Sequence, residues 1–320
     1  MQNKKVLVTG GAGFIGYHLS KSLVKKNYLV KVIDRELIHF YNKNFQKLKN
    51  NKNFIYSKTN LNSKIKDKFH NISHAFHLAA SLGVKNISEN PYETFKNNVD
   101  SLINLIDNLK KYSPQCILIY FSSSEVYAPL VAKKKTTIPT KEDIDLLINK
   151  NIINRDSYYL SKLLGEKIIQ LCGLKYIILR PHNIYGPHMG FRHVISELIK
   201  KMKKNRNKDC EIFSPNHTRS FCYIDDAINQ INSISFNKKS YNQIFNIGNS
   251  RNEIKMYELA KLIKDILKSN VILKKGVITP GSPSRRVPDT KKNFKITKFK
   301  KFVTLREGIK KTINWVYSRN

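Results

Sequence analysis

The chain of 320 residues has little cysteine: four residues, at 116, 172, 210 and 222. None stands in a CxxC pair or beside the His/Cys spacing of a zinc site, so no metal is expected and the thiols read as buried and free. No run of ~18 or more apolar residues occurs, which excludes a membrane-spanning helix and with it a membrane partner. The apolar stretch before the first glycines (MQNKKVLVTGG) is too short for a signal peptide, so the chain is expected to begin at Met1 in the cytoplasm. Thirteen glycines and ten prolines are ordinary usage and exclude a collagen-like or low-complexity chain. There is neither an internal repeat nor a flexible linker. Acid is also scarce. Asp and Glu number 23 against 58 Lys and Arg, which leaves a formal charge of +35.

So large a basic excess can mark a polyanion partner. Here the lysines are spread along the whole chain beside many Asn and Ile, as a general compositional bias would spread them. The densest cluster is Lys200, Lys201, Lys203, Lys204, Arg206 and Lys208, readable as a solvated helix end or as a polyanion contact. No continuous basic stripe is interleaved with aromatics, so nucleic acid is not an expected partner.

What is present is a pattern. Hydrophobic residues make up 41% of the chain, enough for a substantial core in one large domain or two intimate ones. Short apolar runs alternate with amphipathic stretches, which predicts parallel strands joined by helices. The runs are Lys4–Thr9, Val30–Asp34, Ala75–Ala79, Cys116–Ser122 and Lys175–Arg180, each continuous enough for a strand covered on both faces. Helical spacing appears in Val99, Leu102, Ile103, Ile106 and Leu109, and again in Leu160, Leu163, Leu164, Ile168 and Leu171. After residue 181 the alternation becomes irregular, with helices expected near 192–204, 224–236, 253–268 and 305–318. The expected fold class is α/β: a Rossmann-type doubly wound parallel sheet with a smaller, mostly helical C-terminal lobe. The expected domains are 1–181 plus about 219–250, a dinucleotide-binding part, and about 182–218 plus 251–320.

The first strand runs into Gly10-Gly11-Ala12-Gly13-Phe14-Ile15-Gly16 and then a helix, Phe14–Lys26. Gly10 permits a tight turn, Gly13 lets a pyrophosphate approach the backbone, and Gly16 lets the helix pack closely. The helix start at Phe14 and Ile15 offers unpaired N–H groups and a positive dipole end to phosphates. Asp34 ends the next strand, where a carboxylate binds ribose hydroxyls and repels a 2′-phosphate; NAD is therefore expected ahead of NADP. Arg35 beside it could accept that phosphate, which keeps NADP open.

The fourth strand ends in Ser122-Ser123-Ser124-Glu125-Val126-Tyr127, at the sheet edge where such folds bind ligands. Downstream, Tyr158 precedes Lys162 by four residues, so both side chains share one helix face. An ammonium near a phenol favours the phenolate and would bring the tyrosine's pKa from ~10 toward neutrality. Such a phenol can remove a hydroxyl proton while a nicotinamide takes the hydride. Tyr159, three residues before Lys162, is the competing tyrosine.

Together TGGAGFIG, HLAA (His77–Ala80), FSSSEVY, YYLSK and LRPHNIYGP resemble the extended short-chain dehydrogenases/reductases that act on nucleotide-sugars. The resemblance continues through TRSFCYIDD (Thr218–Asp226), FNIGNS (Phe245–Ser250) and SRRVPD (Ser284–Asp289), nearly the whole chain. That family includes epimerases, 4,6-dehydratases and glucuronate decarboxylases. The resemblance implies Ser123 as the serine bridging the sugar O4 and Tyr158, with Ser124 beside it. It implies that Lys162 holds the nicotinamide ribose, that Leu78, Ala79 and Ala80 line the cofactor, and that Asn98 sits near it. Asn183 resembles the asparagine on the substrate diphosphate; Arg219 and Arg286 resemble the arginines that grip the nucleotide phosphates. Two departures stand out: Asn60 where an acid often faces the adenine, and Ala128 where glycine often follows the Val-Tyr pair. The resemblance further implies a nucleotide-diphosphate sugar as substrate, and a homodimer through helices near 97–111 and 157–171.

All members would begin by oxidising a sugar hydroxyl, usually at C4. Glu125 resembles the acid of glucuronate decarboxylases and some dehydratases, and Arg286 a decarboxylase arginine. The reading therefore leans to an acid-requiring reaction, decarboxylation or 4,6-dehydration, with simple 4-epimerisation as the alternative and Glu125 as a structural acceptor still open. A non-catalytic NAD-binding module would not need Ser123, Tyr158 and Lys162 together.

Overall fold

The computed structural model describes residues 4–35, 42–63, 65–81, 89–191, 193–204, 208–279, 282–299 and 301–318. Cluster residue Arg206 lies outside them. The chain forms two compact units: Met1–Val126, Ile148–Arg180 and Ile231–Phe245 in the first, and Tyr127–Leu147, Pro181–Gln230 and Asn246–Asn320 in the second. These bounds differ from the expected domains at 127–147, 181, 219–230 and 246–250, which fall in the second unit. Backbone pairing accounts for part of the difference: Thr140 N–H donates to the Val287 carbonyl, and Thr140 bridges to Pro288.

A seven-stranded sheet organises the first unit. Its strands are β1 (Lys5–Thr9), β2 (Leu29–Asp34), β3 (Phe54–Lys58), β4 (Ile72–His77), β5 (Ile117–Phe121), β6 (Lys175–Pro181) and β7 (Gln243–Ile247), in the order β7-β6-β5-β4-β1-β2-β3. The pairs from β3 across to β6 are parallel. The order reverses beside β1, and in an open sheet that reversal leaves a crevice at the strands' carboxyl ends. Between strands run α1 (Phe14–Lys25), α2 (Asn42–Lys49), α3 (Pro91–Tyr112) and α4 (Asp156–Leu171). Val6, Leu7, Val8, Leu118, Ile119, Ile177 and Ile178 are all fully buried, so the continuous apolar runs do mark strands covered on both faces. One core packs Leu7, Ala75, Leu118 and Ile178 of the sheet with Leu102, Leu105 and Leu109 of α3 and Ile169 of α4. The four cysteines are buried and free.

Two strands were absent from the expectation. FIYSK (β3) has a half-buried pattern too short to stand out, and β7 lies inside a segment that reads as a motif. Strand β4 starts earlier and stops earlier than Ala75–Ala79, ending at His77.

The second unit contains the helices Val194–Lys204, Met256–Leu267 and Leu305–Tyr317, and the helix Ile224–Ser235 is divided between the units after Gln230. Residues 253–255 begin no helix: Glu253–Lys255 pairs antiparallel with Thr218–Ser220, whose other edge takes Arg285–Arg286 in parallel. Among the described residues no helix is long and apolar enough to cross a membrane.

Candidate active site

The first unit gathers two sets of residues at the carboxyl ends of its strands. The glycine turn comes first. Gly10 sits at φ 69°, and a Cβ there would lie 2.6 Å from the Ala79 nitrogen. Any side chain would push the turn off the loop after β4. A Cβ on Gly16 would strike the Gly10 carbonyl oxygen, so the third glycine packs α1 against the turn itself. It is Gly11 whose Cβ would meet a sheet residue, Val32. Gly13 caps α1 without a side-chain hydrogen bond, and no acid stands in the helix's first turn. Phe14, Ile15 and Gly16 form that turn.

Beside it lies a cavity of about 290 Å³, lined by Gly10, Gly13, Asp34, Arg35, Asn60, Leu78, Ala79 and Ala80 together with Ala12, Thr59, Asn62, Ser81, Asn97 and Ser101. Eight of the residues singled out for the cofactor thus meet around one space. Asp34 Oδ2 accepts from the Ala12 N–H at 3.0 Å, tying the strand-end carboxylate to the glycine loop. Asn60 Oδ1 accepts from the Asn62 N–H at 3.1 Å, which shapes the turn under the cavity. Asn98 does not line the cavity. Its Oδ1 accepts from the Ser81 N–H at 2.6 Å, and its amide donates to Ser161 Oγ at 3.0 Å. Ser161 in turn donates to the Tyr158 carbonyl at 2.7 Å. Asn98 therefore couples the cavity wall to the helix that carries Tyr158.

The second set is Ser123, Glu125, Tyr158 and Lys162. Helix α4 brings Tyr158 and Lys162 to one face, with the Lys162 ammonium 6.0 Å from the Tyr158 ring centroid and 5.0 Å from that of Tyr120. Lys162 is only 3% exposed and donates to the Phe121 carbonyl at 2.8 Å, at the end of β5. Tyr159 resolves the competition: its hydroxyl accepts from the Asn149 N–H at 3.4 Å, away from this cluster. Ser123 hydrogen-bonds the Tyr158 hydroxyl, and its own Oγ accepts from the Glu125 N–H at 3.2 Å. Ser124 is buried; Glu125 is half-buried.

The electrostatics correct one expectation. Burial pushes the Tyr158 phenol up to about 12, opposed by the Ser123 hydrogen bond and reinforced by Glu125. Burial also holds Lys162 down at about 7, opposed by Glu166. Desolvation is the largest influence on both groups, so the lysine does not by itself bring the phenol near neutrality. The phenolate is the minority form of Tyr158 at neutral pH.

Residue-level reading missed what lies behind this cluster. Glu166, one turn beyond Lys162, receives two bonds from Arg180, at 2.8 and 2.6 Å, and one from Ser122 Oγ at 2.5 Å. All three are buried. His77 is also buried and shares a 2.8 Å hydrogen bond with Thr9 Oγ1. Its place in HLAA was the visible clue.

In the second unit a cavity of about 280 Å³ is lined by Asn183, Arg219, Ser282, Glu197, Lys201 and Phe213, among others. Asn183 adopts φ 40° and donates to the Ser220 carbonyl at 2.9 Å. Arg219 is 8% exposed and donates to the Thr218 carbonyl and to Ser282 Oγ, at 2.7 and 2.8 Å. Arg286 stands opposite Arg219 in the strand pairing but does not line the cavity. Phe213, 45% exposed at the cavity, went unnoticed in the sequence.

A Rossmann-type sheet with a glycine turn, a strand-end acid and a Ser–Tyr–Lys cluster defines the nucleotide-dependent short-chain dehydrogenase class. The chain belongs to the NAD dependent epimerase/dehydratase family, whose profile matches residues 6–248. It is 33% identical to a putative UDP-glucose 4-epimerase of Methanocaldococcus jannaschii, covering 98% of this chain and 99% of that protein. It is 31% identical to a UDP-N-acetyl-alpha-D-glucosaminuronate decarboxylase of Bacillus cytotoxicus, covering 98% and 97%. The structure of UDP-glucuronic acid 4-epimerase from Bacillus cereus, in complex with UDP-glucuronic acid and NAD, superimposes with a TM-score of 0.83 at 25% identity, covering 99% and 100%. The cofactor is accordingly NAD. The chain fits it: Gly10 and Gly13 of the turn leave their side of the cavity without side chains, and the strand-end carboxylate of Asp34 borders the same cavity.

Proposed function

We propose that this enzyme remodels the sugar of a nucleotide-diphosphate sugar by transient oxidation at C4, and that Glu125 carries the ketone on to decarboxylation or 4,6-dehydration. The reading rests on one observation: Ser123 hydrogen-bonds the Tyr158 hydroxyl, and the Glu125 carboxylate is near enough to raise that phenol's pKa. The glycine turn, Asp34, Arg35, Asn60 and Leu78–Ala80 would hold the cofactor, and Lys162 its nicotinamide ribose. Bound NAD supplies the hydride acceptor and donor. Ser123 orients the sugar hydroxyl toward Tyr158; the Tyr158 phenolate takes the hydroxyl proton and becomes the phenol as the C–H bond gives up its hydride. Lys162, when charged, favours the phenolate form that this step consumes and the return step restores. Asn183 and Arg219 would bind the diphosphate, with Arg286 a second cation nearby, since a guanidinium matches phosphate oxygens in bidentate fashion.

The C4 ketone makes a C6 carboxylate a β-keto acid, which loses carbon dioxide readily. With a C6 hydroxyl instead, the ketone acidifies C5–H, and a base there with an acid at C6 expels water. Glu125 suits either task. The alternative is simple 4-epimerisation, in which the ketone turns over and Glu125 is a structural acceptor; the 33% identity to a putative UDP-glucose 4-epimerase favours it. Incubation with a panel of nucleotide-sugars plus NAD, read by mass, tests the proposal. Product lighter by carbon dioxide or by water supports it; an isomer of unchanged mass establishes the alternative.

A further inference from the structure

Behind the Ser123–Tyr158–Lys162 cluster lies a buried ion pair. Glu166 and Arg180 are 1% and 2% exposed. They sit on two different elements: Glu166 on α4 four residues after Lys162, and Arg180 on β6. Ser122, immediately before Ser123 at the end of β5, gives its hydroxyl proton to the same carboxylate. Glu166 thus receives three hydrogen bonds from two strand ends while riding on the helix of Tyr158 and Lys162. A buried pair of this kind is a poor source of net stability, because desolvation of both ions offsets their attraction. What it supplies is fixed geometry and a fixed negative charge one helical turn from Lys162.

We propose that Glu166 is a positioning residue of the active site, which locks the Ser123-bearing strand end to the Tyr158–Lys162 helix and favours the ammonium form of Lys162. The proposal rests on the functional reading above for Tyr158 and Lys162. Among the described residues, the groups facing Lys162 are few. His77 at the end of β4 is neutral, since burial and the Lys162 charge hold it at about 3. Tyr120 of β5 and Tyr158 of α4 both titrate well above neutrality. Glu125 acts on Tyr158, and Arg180 is engaged by Glu166. Among these, Glu166 is the group that opposes the burial of the ammonium.

The test has two arms. The first uses the apo-protein in a double-mutant cycle of Glu166→Gln and Lys162→Met, with unfolding constants measured by denaturant at several pH values. The expected coupling is on the order of tenfold below pH 7 and fades toward none above about pH 8, as the lysine loses its proton. No coupling at pH 6 overturns the proposal, whatever the enzyme's substrate. The second arm is the pH profile of turnover on whichever nucleotide-sugar the panel identifies. Glu166→Gln is expected to move the alkaline limb of kcat down by about one to two pH units while KM changes little, because an opposite charge at such range shifts a pKa by that much. If Glu166→Gln folds poorly, Glu166→Gln with Arg180→Met removes the orphaned buried cation and is read in its place. A limb unchanged in both variants overturns the proposal. Should no nucleotide-sugar turn over, the functional reading fails, and the cycle alone decides the role of Glu166.

Discussion

In the proposed reaction the chemistry passes through Tyr158, and its surroundings are not those of an easily ionised phenol. Its proton is held by burial and by Glu125, against one hydrogen bond from Ser123. Removing the hydroxyl while keeping the ring therefore takes away the proton acceptor without opening the fold. Tyr158→Phe is expected to lower kcat by about 10³-fold or more, within the scale of acid–base contributions, while NADH binding followed by fluorescence stays within about threefold of the parent. Retained turnover in that variant contradicts the role of the phenol. His77 gives a prediction on stability. Burial lowers its pKa to about 3, and that of His74 to about 4, from 6.5. A base whose folded pKa is depressed stabilises the fold above its unfolded value and loses that stabilisation as pH falls through the window, here from about 6.5 toward 3. Unfolding free energy should thus decline on acidification below pH 6.5. In His77→Gln the decline should be shallower by up to one proton's worth, about 1.4 kcal/mol per pH unit. Denaturant melts at pH 4.5, 5.5 and 7 are sufficient to compare the slopes.

At the scale of elements, the site is made by close approaches that small residues permit. Gly165 on α4 faces the Tyr120 hydroxyl of β5, and a Cβ at that position would collide with it. Gly165→Ala is expected to cost about 1–3 kcal/mol, the usual range for overpacking a filled core, and to displace the helix that carries Tyr158 and Lys162. Thermal melts together with NADH binding measure both effects; an unaltered Tm shows that Tyr120 yields. Gly10 makes a sharper case. Any side chain there meets the backbone of Leu78 and Ala79 and needs a positive φ.

Part of this was readable from spacing: Gly10, Gly13, Asp34 and Arg35 do border one cavity, and Tyr158 and Lys162 do share a face. Asn60 and Leu78–Ala80, which border the same cavity, were named only through the family resemblance. Strands β1, β5 and β6 stood out because a strand covered on both faces is apolar without interruption, and β2 stood out by Val30, Val32 and Ile33 despite Lys31 among them. Strand β3 did not, since its residues are half-buried and its pattern is short. The pairing of Glu253–Lys255 was hidden because a strand of three residues leaves no periodicity beside a strongly amphipathic helix. The Ser122–Glu166–Arg180 cluster was invisible for another reason: its members come from three elements, and no local pattern joins residues that only the sheet brings together. The balance between desolvation and charge at Tyr158 was equally out of reach, because burial is a property of the fold and not of the motif.

The whole molecule carries +35 formal charges on 320 residues. Exposed ion pairs such as Lys96–Asp100, Lys201–Glu197 and Lys311–Glu307 neutralise few of them locally and contribute little each. Self-repulsion of that excess opposes the compact state, and salt screens it. Raising sodium chloride from about 20 mM to about 500 mM should raise the Tm by several degrees, a range in which the Debye length falls from roughly 20 Å to roughly 4 Å. A Tm that falls with salt would mean that favourable ion pairs outweigh the repulsion. The same field favours the approach of an anionic diphosphate, so association should slow as salt rises.

In the proposed reaction the sugar is oxidised and reduced again within one catalytic cycle. Product mass and nicotinamide absorbance are followed together, with an accepted nucleotide-sugar in large excess over NAD. Internal redox gives many turnovers per NAD with no net NADH accumulating, and no product in Tyr158→Phe. One NADH released for each product formed would rule internal redox out and mark a simple dehydrogenase.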